Sequence, residues 1–359
     1  MSSRIHTRKM RLWVDYMAGC DAPFFNSIFT NMPLDTPYSL YNTVRKHAET
    51  ISLLKAYAIN ADVVGEHNIS NRLSQIYSFI SRVAVLSYTV PDFDFSLSLA
   101  NIYSIIVSAI RARPSISVID NDLIEYERTI MEKVAARIHA NATWILAPKA
   151  YPINLTMDKS AHPEKIFTFD GFKEDIYIAN YEIDKTFYEK IPYHEYVVVR
   201  PEALYSTYVH NHKSITNELL NTLTESGINV IYLPRTQRDY DYIVNIKNQS
   251  KLWIPPNPLK GLDLVYHSKG VLTGSGTFAR EAACMGQTAV SFFPDKLLAV
   301  DKALIDEGKM FHSRDPKKIA TYISSNLNHH QSISFERSKN VKMQFIQILK
   351  LILEKDKSL

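Results

Sequence analysis

The segment from Val271 to Pro294 constrains the fold of this chain more than any other. It reads as a short apolar strand, a turn of small residues at positions 274–277, a helix that ends at Gly286, and a second apolar strand. The unpaired N–H groups and the dipole at the start of a helix favour an anion at such a corner. The chain has only ten glycines, so two of them within this turn indicate that a ligand approaches the backbone closely.

The rest of the second half repeats this alternation of strand and helix. Apolar runs at 196–200, 230–235 and 252–255 predict strands, and the spacing at 214–226 predicts a helix closed by Gly227. With the two strands of the first segment, the pattern predicts a five-stranded, doubly wound parallel sheet. Such sheets bind ligands beyond the carboxyl ends of their strands.

The first half shows a similar but less regular alternation. Strands are predicted at 10–15, 38–44, 61–64, 92–97, 116–119 and 144–147, with helices between them. We therefore predict an α/β protein with two Rossmann-like domains, residues 1–178 and 179–335. A final helix, 336–359, is expected to pack across the body of the protein. Its many apolar residues leave peripheral contact with a membrane surface as the alternative.

Composition narrows the functional classes. The net charge of +4 is small for 359 residues, and it argues against nucleic acid as a partner. The two cysteines, Cys20 and Cys284, are too few for a disulfide framework or a zinc site. A polar, basic N-terminus without an apolar stretch argues against a signal peptide, and no segment is long and apolar enough to span a bilayer. We expect a cytoplasmic protein without a metal or a cofactor.

Charged and small residues at the predicted strand ends of the second half are the ligand-binding candidates. The guanidinium groups suit a diphosphate, and the small residues with their N–H groups suit close approach of a phosphate. The set comprises Arg200, Glu202, Arg235, Gly274, Ser275, Gly276, Thr277, Arg280 and Lys296. The structural alternative is capping of the helix for Ser275 and Thr277. For Arg280 it is pairing with a surface acid, and for Arg200 it is an ion pair with Glu202.

Acidic residues that follow predicted strands of the first half are the candidates for a general base. These are Asp15, Asp21, Asp120 and Asp122. The run Asp120-Asn121-Asp122 has a divalent cation site as its weaker alternative. His67 and His312 are further candidates, with an ordinary surface or packed histidine as the alternative.

Several segments of the second half resemble a family of mostly archaeal proteins called domain of unknown function 354. They begin at Val197-Val-Val-Arg-Pro-Glu-Ala203 and include Tyr232-Leu-Pro-Arg235, Gly261-Leu-Asp-Leu264, Gly274-Ser-Gly-Thr-Phe-Ala-Arg-Glu-Ala282 and Phe293-Pro-Asp-Lys296. That family is similar to the GT-B superfamily, in which two Rossmann-like domains face a central cleft. The superfamily includes UDP-N-acetylglucosamine 2-epimerases and nucleotide-sugar glycosyltransferases.

The resemblance implies roles for individual residues. The epimerases carry a Ser-Gly-Gly-x-x-x-Glu-Glu-Ala motif, onto which Ser275, Gly276, Thr277, Glu281 and Ala282 fall. By this similarity the small residues hold the diphosphate of a UDP-type nucleotide sugar, and Glu281 accepts hydrogen bonds from the ribose hydroxyls. The first half, which supplies the acceptor side in GT-B proteins, departs from the family pattern at residues 20–25, 67–69 and 119–123.

Three hypotheses about function follow. The first is a metal-independent glycosyltransferase that moves the sugar to an unknown acceptor in the synthesis of a surface polysaccharide or glycoconjugate. The second is a sugar-nucleotide 2-epimerase, although the histidine of the epimerases' His-Arg-x-Glu-Asn motif is absent before Arg200. The third, motivated by the divergent first half, is a non-catalytic protein that binds sugar nucleotides.

Overall fold

The computed structural model describes residues 8–30, 32, 34, 37–66, 72–122, 130–159, 161–204, 213–327 and 333–355. The chain divides into two compact units. Unit 1 contains the residues up to Tyr177 together with those from Asn340 onward, and unit 2 runs from Ile178 to Lys339.

Unit 1 is built on a parallel sheet of seven strands among its described residues, in the order β3-β2-β1-β4-β5-β6-β7. The strands are β1 (Met10–Tyr16), β2 (Tyr38–Lys46), β3 (Asp62–Glu66), β4 (Phe95–Leu99), β5 (Ser115–Val118), β6 (Trp144–Pro148) and β7 (Ile166–Phe169). The helices between and after them are α1 (Asp21–Phe29), α2 (Ala48–Ala56), α3 (Arg72–Thr89), α4 (Ile102–Ile110), α5 (Ile130–Ala140), α6 (Ile153–Met157) and α7 (Lys173–Ile178). The sheet order reverses between β1 and β4, which makes their carboxyl ends the switch point of the sheet.

Unit 2 has the same arrangement, with six parallel strands in the part that the structure describes, in the order β10-β9-β8-β11-β12-β13. The strands are β8 (Val197–Arg200), β9 (Val230–Tyr232), β10 (Leu252–Trp253), β11 (Gly270–Thr273), β12 (Ala289–Ser291) and β13 (Phe311–His312). The helices are α8 (Thr216–Glu225), α9 (Gly261–His267), α10 (Gly276–Met285), α11 (Ala299–Asp306) and α12 (Pro316–Asn326). The prediction of five strands was one short: β13 lies at the edge of the sheet, and no apolar run marks it in the sequence.

The strands of unit 2 are apolar throughout because helices cover the sheet. One core cluster joins Val197, Val230, Leu272 and Val290 of the four central strands to apolar residues of α8 and α12, such as Leu220. Gly227 follows α8 with a φ of 81°, and Gly286 ends α10 with a φ of 80°. Both glycines end their helices, as the sequence predicts, since the left-handed conformation suits glycine.

The last helix, α13 (Glu336–Lys355), contributes its apolar face to unit 1 from Asn340 onward. The ring of Phe345 packs edge-on against Phe24 at 5.7 Å and against Phe169 at 5.3 Å. The Asp170 N–H donates to Gln344 Oε1 at 2.8 Å. Most of the apolar face that suggested a membrane surface is therefore buried in protein, although Leu351 is exposed. None of the helices in the described part of the chain is long and apolar enough to cross a membrane.

Candidate functional site

The corner between β11 and α10 is the centre of the candidate site in unit 2. Thr273 ends β11, and its Oγ1 accepts the Ser275 N–H at 3.0 Å and pairs with Ser275 Oγ at 2.9 Å. Ser275 precedes α10, and within the described residues its side chain makes no capping hydrogen bond to that helix. Its hydroxyl instead stiffens the turn, so the N–H groups of the first turn of α10 remain available for an acceptor from outside.

Gly274 allows β8 to lie directly against this corner. Its N–H donates to the Arg200 carbonyl at 3.1 Å. A Cβ at this position would come within 2.4 Å of Glu202 Cγ and 2.6 Å of Glu202 Cα. Since one of these contacts is with backbone, no rotation of a side chain relieves it, and only glycine fits.

Glu202, predicted to bind the ligand, has hydrogen bonds that tie the chain after β8 to the start of α8. Its carboxylate accepts from Ser214 Oγ at 2.7 Å, from the Ile215 N–H at 2.9 Å and from Thr216 Oγ1 at 2.5 Å. The side chain is buried. These contacts give Glu202 a supporting role behind Gly274.

Arg280 is also buried behind the corner. Its Nε donates to Asp301 Oδ1 at 2.6 Å and its Nη2 to Asp301 Oδ2 at 3.0 Å, a two-point ion pair between α10 and α11. A Cβ on Gly276 would lie 2.6 Å from Arg280 Nη2. Arg280, which was predicted to reach a phosphate, is thus paired with a carboxylate and packs against Gly276.

Arg200 stands beside the corner, since β8 and β11 pair with Arg200 opposite Thr273. Its guanidinium lies 5.8 Å from the centre of the Phe278 ring, within the range of a cation–π contact. The side chain is only partly buried. Of the predicted phosphate ligands, Arg200 is therefore placed to combine a fixed position with access from solvent.

The remaining predicted ligands lie on neighbouring segments. The Arg235 N–H, after β9, donates to Asp239 Oδ2 at 2.8 Å, and its side chain is half-buried. Lys296 is exposed in the turn between β12 and α11, where its N–H donates to Asp295 Oδ1. Glu281 is partly buried on the second turn of α10.

His312 and Arg314 occupy the carboxyl end of β13. Burial lowers the pKa of His312, so the ring is neutral at physiological pH. Arg314 was missed by the sequence reasoning. Its Nη1 donates to the Phe292 carbonyl at 2.9 Å, and its Nη2 donates to the Lys213 carbonyl at 2.6 Å. These two hydrogen bonds hold the loop after β12 and the loop before α8 in place next to the corner.

In unit 1, Asp15 forms the centre of a buried ion pair. Arg82 donates to both of its carboxylate oxygens, at 2.9 Å and 2.7 Å. Thr43 Oγ1 and Asn101 Nδ2 each donate to it as well, both at 2.7 Å. Four donors satisfy the carboxylate, so this geometry indicates that Asp15 fastens β1, β2 and α3 together. Its role as a base stays a prediction that the geometry does not favour.

Asp21 has a different environment at the start of α1. Its Oδ2 accepts from the Met17 N–H at 2.6 Å and the Ala18 N–H at 3.0 Å. Burial raises the pKa of Asp21 to about 6, although these two hydrogen bonds oppose the rise. Because this carboxyl titrates close to neutral pH, it matches the requirement for a general acid or base.

A buried lysine that the sequence reasoning did not single out joins the acidic candidates. Lys173 Nζ lies 2.6 Å from Asp120 Oδ2, 3.7 Å from Glu174 Oε1 and 3.9 Å from Cys20 Sγ. Burial, the largest influence, lowers the pKa of Lys173, but Asp120 and the other neighbouring acids together raise it well above its ordinary value. Burial also raises the pKa of the Cys20 thiol to about 12, which disfavours the nucleophilic thiolate.

The alternative of a cation at 120–122 does not agree with these contacts. Asn121 Nδ2 donates to Asp120 Oδ1 at 2.9 Å, and Lys173 Nζ donates to the other carboxylate oxygen, Asp120 Oδ2. Among the described residues no group of three or more acidic, histidine or cysteine side chains is arranged to hold a metal ion. Asp122 is buried beside this cluster. His67 lies outside the described residues.

Comparisons with known proteins agree with the family that the sequence resembles. The family described as protein of unknown function DUF354 matches residues 10–349. An uncharacterized protein of Methanocaldococcus jannaschii, MJ0665, is 32% identical over 132 residues, and the match spans 36% of this chain and 37% of that protein.

Solved structures share the fold along nearly the whole chain. S. aureus MnaA, solved with UDP, superposes with a TM-score of 0.70 at 12% identity, covering 96% of this chain and 97% of that one. The UDP-GlcNAc 2-epimerase of M. jannaschii gives 0.68 at 14% identity and covers 95% and 99%. Anabaena HepE, solved with UDP and glucose, gives 0.64 at 14% identity and covers 98% and 100%. The predicted α/β fold of GT-B type, with two Rossmann-like units, is confirmed.

Proposed function

Since this chain belongs to the family of proteins of unknown function DUF354, we propose an activity from its own site. Unit 2 binds a nucleoside diphosphate sugar, and the protein transfers the sugar to an acceptor. The observation that carries the proposal is the start of α10, where the Ser275 hydroxyl bonds to Thr273 rather than capping the helix. The corner lies at the switch point between β8 and β11, where doubly wound sheets bind nucleotides.

A diphosphate suits this corner for electrostatic reasons. The N–H groups of Gly276 and Thr277 and the positive end of the helix dipole favour negative charge. Arg200 adds a full positive charge within reach of the same turn. Charge that builds up on the diphosphate as it leaves the sugar is stabilised by these donors more strongly than the charge of the bound substrate, which is what accelerates the reaction.

Glu281 is proposed to accept hydrogen bonds from the ribose hydroxyls, one turn beyond the phosphates. A uridine nucleotide is the proposed ligand, because solved proteins of the same fold carry UDP, among them S. aureus MnaA and Anabaena HepE. The buried residues Glu202 and Arg280 are assigned to supporting the corner rather than to contacting the ligand.

Asp21 is the proposed general base for the acceptor hydroxyl. Its pKa of about 6 lets it hold the proton at the end of the transfer and release it at neutral pH. Lys173 and Asp120 lie in the same buried cluster, and their ion pair holds the two charges next to Asp21 in fixed positions.

The same cluster favours a sugar-nucleotide 2-epimerase as the second candidate. Epimerisation at C2 needs acids and bases that remove a proton and return it, and unit 1 gathers Asp120 and Glu174 around Lys173. Proton NMR in heavy water separates the candidates when the protein is given UDP-N-acetylglucosamine. Deuterium enters C2 if the protein is an epimerase, and the C2 proton is retained if it only transfers the sugar.

Calorimetric titration with UDP tests the binding step. Replacing Arg200 by Ala is expected to weaken UDP binding about ten- to hundredfold, the loss typical of a hydrogen bond to a charged group. Arg337→Ala is the matched control, since this partly buried arginine of unit 2 pairs with Glu307, and the UDP affinity of the variant is expected to equal that of the wild type. If UDP, UDP-glucose and UDP-N-acetylglucosamine all fail to bind the wild type, the proposal is wrong.

Turnover distinguishes the enzyme from a binding protein. Release of UDP from a UDP-sugar in the presence of acceptor candidates is the readout, and Asp21→Asn is expected to lower the rate at least a hundredfold while UDP affinity stays unchanged. Binding without release by any acceptor would support the non-catalytic hypothesis instead.

A further inference from the structure

The outer face of α3 is an apolar surface that no other described residue of its unit covers. Five large side chains of this helix are exposed, namely Ile76, Tyr77, Ile80, Val85 and Tyr88. At 100° of rotation per residue, four of the five fall within an arc of about 120°, and Val85 lies about 60° beyond it. The four form one continuous stripe along the helix, and Val85 widens it to about half of the helix circumference.

This stripe also lacks charge. Between residues 73 and 90 the only charged side chain is that of Arg82, and it is buried against Asp15. Solvated protein surfaces usually carry about 25–35% charged residues. An uncharged apolar stripe of this length is typical of an interaction surface.

We propose that the α3 stripe packs against the α3 stripe of a second copy of this chain, around a two-fold axis. In such an interface the same patch lies on both sides, so a charge near the axis would face its own like charge. A neutral stripe avoids this repulsion. A lipid surface is the less suitable occupant, because helices that lie on membranes carry a row of Lys and Arg beside their apolar face, and α3 contains only Arg72 and Arg82.

The area of the stripe agrees with a stable dimer. Tyr77 and Tyr88 are 75% and 92% exposed, which leaves about 300 Å² of surface at roughly 150–250 Å² per aromatic side chain. Ile76, Ile80 and Val85 are 43%, 60% and 42% exposed and bring the apolar total to about 400–450 Å², from the area that corresponds to their transfer energies. A standard interface buries about 800 Å² per partner, of which somewhat more than half is apolar.

Light scattering coupled to size-exclusion chromatography tests the pairing with the full chain. The wild type at micromolar concentration is expected to have twice the monomer mass of 41.1 kDa. The double variant Ile80→Glu/Tyr88→Glu is expected to be monomeric, with association weakened at least tenfold. Val244→Glu is the matched control, because this valine is 66% exposed in unit 2, and its mass is expected to remain that of the dimer.

A charge swap tests the two-fold arrangement itself. Ile80→Glu and Ile80→Lys are each expected to be monomeric alone, whereas an equal mixture of the two is expected to form a dimer. Circular dichroism melting curves like that of the wild type verify that the variants are folded. A monomeric wild type, a dimer that survives Ile80→Glu/Tyr88→Glu, or a mixture that stays monomeric would each overturn the proposal. So would a monomer that pellets with phosphatidylglycerol vesicles through these residues.

Discussion

The ion pair between Arg280 and Asp301 offers a sharp test of how the candidate site is supported. Both side chains are almost fully buried and meet through two hydrogen bonds. Arg280→Met removes the positive partner and leaves the Asp301 carboxylate buried alone. Asp301→Leu does the converse, and the double variant replaces both charges by apolar side chains.

The expected sizes follow from the burial. Removing one partner of a buried ion pair costs about 3–5 kcal/mol, because the charge that is left behind has lost both its partner and its water. Replacing both partners by apolar groups of similar volume is often neutral. We therefore expect each single variant to lose about 3–5 kcal/mol of unfolding free energy, and the double variant to lie within about 2 kcal/mol of the wild type.

Urea unfolding followed by circular dichroism measures the stabilities, and calorimetry with UDP measures the site. If Arg280 supports the corner, the double variant recovers UDP affinity together with stability. If Arg280 contacts a phosphate, the double variant is stable but binds UDP as weakly as Arg280→Met. An Arg280→Met variant as stable as the wild type, or a double variant no more stable than the weaker single one, would refute the reasoning about the ion pair.

Two further predictions concern single positions. Gly274→Ala forces a Cβ into the backbone of Glu202, so we expect it to lower the free energy of unfolding in urea by about 3 kcal/mol or more and to abolish UDP binding. The control Gly227→Ala, at a φ of 81° with open space around it, is expected to cost only about 1 kcal/mol and to bind UDP normally. Equal losses of stability in the two variants would contradict the clash. The pKa of Asp21 in the folded protein is raised from 3.8 to about 6, so folding takes up a proton between these two pH values. As the pH rises from about 4 through about 6, we therefore expect the wild type to lose up to about 3 kcal/mol of stability relative to Asp21→Asn. Unfolding of both proteins across this pH range measures the difference, and a difference that does not vary with pH would show that the carboxyl is not perturbed.

The central strands of unit 2 were predictable because they are buried on both faces. The apolar runs at 196–200 and 230–235 became β8 and β9, since a strand covered by helices has no polar side. The corner after β11 was predictable for a related reason: its glycines and the following helix are neighbours in sequence. Local signals of this kind survive in a single sequence.

The partners of the charged candidates were not predictable, because they come from distant parts of the chain. Arg82 lies 67 residues from Asp15, and Lys173 lies 53 residues from Asp120. Only the fold brings these pairs together, so an acid at a strand end can be a base, a ligand or half of an ion pair. For Lys173 one signal was present: the charged run Lys173-Glu174-Asp175 stands between aromatic and apolar residues, where buried charges need partners.

The contacts of α13 have a consequence for how the protein is made. Asp170 and Gln344, which are joined by a hydrogen bond, are 174 residues apart, and all of unit 2 lies between them. At about 5–20 residues per second, a ribosome needs roughly 10–35 s to synthesise that stretch. Unit 2 is one continuous segment and can fold during this time. Phe24 and Phe169 can pack against Phe345 only after Phe345 has been synthesised. Unit 1 is therefore begun first and completed last, and its apolar surface is exposed to chaperones in the interval.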